Sequence, residues 1–146
     1  MHAIIRRAIL AFSAILALGA LQPAIAADAA AKPKARMVMQ VSDADPARWN
    51  LALNNLHNVQ NELGRDNVEL EVVAYGPGID MLKMDSPVGN RVAEAVKGGI
   101  RVVACENTMH GKKLTKGDML PTIGYVRAGV VELMEKQREG YAYIRP

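Results

Sequence analysis

The sequence predicts an α/β fold, a three-layer arrangement in which helices cover both faces of a mainly parallel sheet. Three observations carry this. Five short strand-like runs alternate with helical or loop segments. The first run is mostly apolar, as a strand covered on both faces is, and the second is rich in β-branched residues. The helical spacers run to ten residues or more, the length a crossover between parallel strands requires.

The elements follow in order. "RMVMQVS", Arg36 to Ser42, is the first strand. A long helix follows. Asp45 is placed as its N-cap and Pro46 as its first residue. Trp49, Ala52, Leu53, Leu56, Val59 and Leu63 recur at helical spacing and form the buried stripe. Asn50, Asn54, Asn58 and Asn61 fall opposite, His57 flanks the stripe at the surface, and Gly64 ends the helix with a left-handed conformation. "NVELEVVAYG", Asn67 to Gly76, is the second strand, rich in β-branched residues. "GPGIDMLKMD" is a loop with one helical turn. In the next segment Ser86 caps a helix that Pro87 opens. Val88, Val92, Ala95 and Val96 are its inner face, and Gly98-Gly99 stops it. "IRVVACEN" is the third strand. "TMHGKKLTKGDMLP" reads as a loop with a short helix near Gly117 to Leu120. "TIGYVRAG" is the fourth strand. Val130 to Gly140 is a helix with a Glu132/Lys136 pair at i,i+4, and "YAYIRP" is the last strand.

The first residues bear on compartment. A basic start carrying Arg6 and Arg7 precedes an apolar run, Ala8 to Leu21, too short to span a membrane. Ala24-Ile25-Ala26 is a small-residue cleavage signal. Residues 1–26 therefore read as a secretory signal peptide, residues 27–35 as a flexible Ala/Lys/Pro tail, and residues 36–146 as a single domain. No cysteine stands at the cleavage site, which excludes a lipoprotein. Export removes two of the 18 basic residues, nearly balancing the 15 acidic ones, so the formal charge of +3 overstates the basicity of the exported domain. No basic stripe with interleaved aromatics is present, which argues against a nucleic-acid partner. No second long apolar segment follows, so no membrane contact is expected after cleavage.

The chain has one cysteine, Cys105. An unpaired cysteine in an exported chain is either a reactive or bridging thiol or a small buried apolar residue. Cys105 falls at the carboxyl end of the third strand, and the Gly76-Pro77-Gly78 loop falls at the carboxyl end of the second. Ligand sites of open parallel sheets cluster at such ends. Gly76, Gly78, Asn107, Thr108 and His110 are therefore the candidate substrate-contacting residues around Cys105. The glycine pair lacks the spacing of a phosphate-binding loop. Reactivity needs thiolate, and His110, Lys112 and Lys113 are candidate cations that would favour it, with Glu106 opposing them. A cysteine hydrolase would need a histidine base, and after cleavage only His57 and His110 remain, with no evident orienting acid. Cys105, Met109 and His110 together offer soft-metal ligands, though their spacing matches no copper loop. Nothing in the sequence calls for a metal or cofactor.

"VVAYGPGIDML", "RVVACENTM" and "DMLPTIGYVRAGVVELMEKQREGYAYIRP" resemble the DsrE/DsrF-like family, specifically its small exported, YchN-related branch. The resemblance runs from about Arg36 to Pro146. It implies a compact α/β/α domain with about five parallel strands, assembled as a homotrimer or homohexamer. It also implies that Cys105 carries sulfur as a persulfide between a donor and an acceptor protein; the relay members are cytoplasmic, whereas the signal-peptide reading places this chain in the periplasm. Where sulfur-relay members place a small-residue, Arg-containing helix after their cysteine, this chain has "ENTMHGKK". The rival readings are a non-catalytic oligomeric binding or scaffold protein with Cys105 as a core residue, and the soft-metal site.

Overall fold

The computed structural model describes residues 33–146. The signal-peptide reading (1–26) and the tail reading over residues 27–32 lie outside the described residues.

Strand β1 (Ala35–Val41) leads to helix α1 (Pro46–Leu63). Asp45 caps α1 as its sequence position predicts, its carboxylate accepting from the Ala47 N–H at 2.8 Å. Gly64 ends it with φ +84°, a value that favours glycine. Strand β2 (Val68–Ala74) runs into a 3-10 segment (Gly76–Leu82), then helix α2 (Gly89–Lys97) and strand β3 (Arg101–Cys105). Helix α3 (Glu106–Gly111) starts at the residue after Cys105. Strand β4 (Gly124–Val126), helix α4 (Gly129–Arg138) and strand β5 (Ala142–Ile144) complete the chain.

All four strand pairings are parallel, in the order β4-β3-β2-β1-β5. The period-2 alternation of each strand divides its side chains between two cores. Met37, Met39, Val41, Leu70, Val72, Ala74, Val102 and Ala104 face α1, α2 and α3 in the larger core. Val38, Val73, Val103 and Val126 face α4 and its Leu133 in the smaller one. Among the described residues, three α-helices on one side and one on the other make the layers unequal.

Several local readings are corrected. The stripe of α1 does not include Leu63, which is 48% exposed. Gln60 is buried instead, because its amide donates to the Gly98 carbonyl at 2.9 Å at the end of α2. Helix α2 opens at Gly89, not at Pro87; Ser86 and Pro87 form the preceding turn, with the Gly89 N–H donating to the Ser86 carbonyl. "ENTMHG" is helix, where Glu106 and Asn107 are expected in the third strand and Thr108 to Gly111 in a loop, and the short helix expected near Gly117 to Leu120 is a 3-10 segment, Lys116–Asp118. Glu132 and Lys136 do not pair: Glu132 joins Arg101 and Lys136 joins Glu139. No helix among the described residues is long and apolar enough to cross a membrane.

Candidate functional site

Cys105 is the last residue of β3, and the chain turns into α3 with no loop between. Period-2 alternation from Arg101 through Val103 carries its side chain to the α4 side of the sheet. There it meets the start of α4. The Gly129 N–H donates to Cys105 Sγ at 3.2 Å, and Sγ lies 3.9 Å from the Arg127 carbonyl oxygen, which accepts from it. The same carbonyl accepts from the Asn107 N–H at 3.1 Å, tying the end of β4 to the first turn of α3. Gly129 sits where a side chain would be tightly packed. A Cβ there would stand 3.1 Å from Tyr75 Cβ, 3.2 Å from Val73 Cγ1 and 3.3 Å from Cys105 Cβ.

Cys105 is only 5% exposed. Burial by itself pushes a thiol up. Here hydrogen bonds from the Thr108 hydroxyl, from the Gly129 N–H, and from the N–H groups of Thr108 and Asn107 outweigh that penalty, and Cys105 is held below its ordinary value. Peptide dipoles and a hydroxyl therefore do the work expected of His110, Lys112 and Lys113. Lys112 is engaged elsewhere, its Nζ within 3.1 Å of both Asp80 carboxylate oxygens. His110 is exposed on α3. Glu106 leans toward Lys116, at 3.6 Å.

The remaining predicted residues divide into two groups. Gly76 and Thr108 are brought together: the Gly76 N–H donates to Thr108 Oγ1 at 3.0 Å. That bond fills the acceptor side of the hydroxyl and leaves its proton for the sulfur. Gly76 has φ +54°, so the residue type suits its backbone. Asn107 presents its backbone to Arg127 and its side chain to solvent. Gly78 lies in the fold for a different reason. A Cβ at Gly78 would sit 2.3 Å from the Val41 carbonyl oxygen, so its glycine lets the 3-10 segment close on the end of β1. The trio considered for a soft metal is split by the sheet. Met109 packs in the larger core, whereas Cys105 faces α4. Among the described residues no group of three histidine, cysteine, aspartate or glutamate side chains could hold a metal ion. The parts that sequence reasoning missed are Gly129 and the Arg127 carbonyl. Their only signal was the "RAGV" turn ahead of the last helix.

A five-stranded parallel α/β domain of this strand order is a fold of known kind. The family model for the DsrE/DsrF-like family matches residues 32–146, and the chain belongs to that family. Membership links it, in general terms, to sulfur metabolism. Among solved structures it is similar to a protein of unknown function, MTH1491, from Methanobacterium thermoautotrophicum. The identity is 34% and the TM-score 0.74, over 77% of this chain and 100% of that one. It also shares the fold of BT1422 from Bacteroides thetaiotaomicron, a conserved protein of unknown function. There the identity is 15% and the TM-score 0.61, over 76% of this chain and 94% of that one. A comparison with curated proteins found no match.

Proposed function

We propose that the protein carries sulfane sulfur on Cys105 in a periplasmic sulfur-transfer or sulfur-oxidation sequence. The observation that carries this reading is a cysteine at a strand's carboxyl end whose Sγ accepts from the Gly129 N–H at 3.2 Å, with the thiol held below its ordinary value because hydrogen bonds outweigh burial. The chemistry is an exchange without net redox change. The Cys105 thiolate attacks the outer sulfur of a persulfide or of thiosulfate. The S–S bond of the donor breaks, and a thiolate or sulfite leaves with the electron pair. The acceptor's thiolate then attacks the outer sulfur of the Cys105 persulfide and takes it, restoring the Cys105 thiolate. The donors that hold the thiolate are equally suited to holding it as leaving group in that second step.

The rival, a core cysteine in a scaffold protein, draws on the low exposure of Cys105. Intact mass separates the two. The purified protein incubated with polysulfide or thiosulfate gains one or more sulfur atoms, and Cys105→Ser gains none. Sulfide alone gives no label, because forming the persulfide from it requires an oxidant. A wild-type mass unchanged by both donors overturns the proposal in favour of the scaffold. Export by the predicted leader and assembly as a homotrimer or homohexamer belong to the same proposal. Assembly is supported by the solvent-facing apolar residues Val130, Val131 and Met134 of α4.

A further inference from the structure

Glu71 is the buried carboxyl group that the thiol chemistry leaves unused. It stands on β2, 3% exposed, on the same face as Cys105. Arg101 Nη1 donates to Glu71 Oε2 at 2.7 Å and also to Glu132 Oε1 at 2.8 Å, so two carboxyl groups meet on one guanidinium nitrogen. Glu71 Oε1 has no partner among the described residues. Two ionised carboxylates so placed repel each other. One proton between them removes the repulsion and turns Glu71 into a donor toward Glu132. Burial first, and Glu132 next to it, push Glu71 up to about 7 against the opposing pull of Arg101.

The cluster lies close, along the chain, to the group that caps the sulfur. Glu132 is in the first turn of α4, three residues from Gly129. That is about 4.5 Å of helical rise. Arg101 and Cys105 are the two ends of β3, about 13 Å apart on one face. Four elements surround Glu71. Strand β1 contributes Val38, its register partner. Strand β3 contributes Arg101, and α4 contributes Glu132 and Lys136. Its own strand contributes Glu69, which is held by the Tyr141 hydroxyl at 3.1 Å. Lys136 is occupied by Glu139 at 2.8 Å.

We infer that the Glu71–Glu132 pair is a positioning device for the thiol: sharing Arg101 and a single proton, it pins the first turn of α4 to the sheet and keeps the Gly129 N–H on Cys105 Sγ. This rests on the reading of Cys105 as the reacting group. When the proton leaves at rising pH, two carboxylates compete for Arg101, the first turn of α4 loosens, and the thiolate loses part of its cap.

The Gly129 amide reports this directly. In Cys105→Ser, where no thiol titrates, its NMR shift moves with a midpoint near that of the carboxyl pair, and in Cys105→Ser/Glu71→Gln it stays flat. With the cysteine present, Glu71→Gln has a lower apparent thiol pKa than wild type. On the rising limb of the pH profile it reacts with iodoacetamide about three- to tenfold faster, the range one N–H bond to a charged acceptor supplies. A flat Gly129 shift in Cys105→Ser overturns the inference, as does a titration that survives Glu71→Gln. A rate difference that vanishes in 1 M salt also overturns it, because a through-space effect is screened there within roughly 3 Å. If Glu71→Gln does not fold, Glu132→Gln serves as the neutral variant, and the Cys105→Ser titration stands alone. None of these readouts involves sulfur loading, so failure here and failure of the carrier reading are told apart.

Discussion

Thr108 stands between two polar groups that a hydroxyl side chain serves together, accepting from one and donating to the other. Its oxygen accepts from the Gly76 N–H, and its proton is aimed at Cys105. Thr108→Val keeps the shape and removes both bonds. The variant loses about 1–2 kcal/mol of stability, since the partly buried Gly76 N–H is left without a partner. Its apparent thiol pKa rises, and alkylation at neutral pH slows about three- to tenfold. Thr108→Ser retains the wild-type profile. Urea unfolding and the pH dependence of iodoacetamide labelling check the two halves. At this scale the sequence was partly legible. Cys105, Gly76 and Thr108 could be singled out from their positions at strand ends. Gly129 could not, because its role depends on the side chains of Tyr75, Val73 and Cys105, which only the folded sheet assembles.

Among the elements, α4 carries more than its length suggests, as the sole helical cover of its face among the described residues. Its attachment through Glu132, Arg101 and Glu71 makes stability depend on pH. Glu71 in the folded protein is raised from 4.5 to about 7. The folded state therefore binds a proton that the unfolded chain has already released over that interval. The contribution is full below about pH 4.5 and is lost as the pH rises through about 7, and it is on the order of a few kcal/mol. Glu132 has the opposite sign, being held below its ordinary value by Arg101 and Glu71 once burial is outweighed, so its contribution is lost in acid. The melting temperature accordingly falls between pH 5 and pH 8, and Glu71→Gln flattens that fall; thermal unfolding across the range measures it. Glu132 and Lys136 illustrate why such links escape a sequence. Their i,i+4 spacing is real, but a buried partner on β2 and β3 competes more strongly than a surface neighbour does. Helix α3 escaped for another reason: six residues hold too little of a 3.6-residue period to be seen. The cap of α1 lay in the open because Asp45 and Pro46 act within one turn.

For the whole molecule, the five strands and their parallel direction were legible in outline, but their order β4-β3-β2-β1-β5 was not. Apolar strands alternating with long helical spacers admit few other arrangements. The unequal layers were not, since nothing local distinguishes a helix that shares its face from one that covers a face alone. Val130, Val131 and Met134 on α4, with Tyr143 and Ile144 on β5, leave large apolar side chains facing solvent. Surface of this kind marks interaction sites. Light scattering on the purified protein is expected to give a trimer or hexamer mass, and Val131→Lys combined with Met134→Lys is expected to shift it toward the monomer. A monomer mass for the wild type at micromolar concentration would rule out self-assembly through this face.

The pairing of β5 with β1 joins residues about a hundred positions apart, as the Gln40–Tyr143 hydrogen bond does at 2.6 Å. A nascent chain that has not yet reached Ala142 lacks one of the two neighbours of its first strand. Closure of the sheet is thus among the most non-local steps available to the chain, the kind that slows folding. Until Ala142–Ile144 have been made, the sheet stays one strand short of its five.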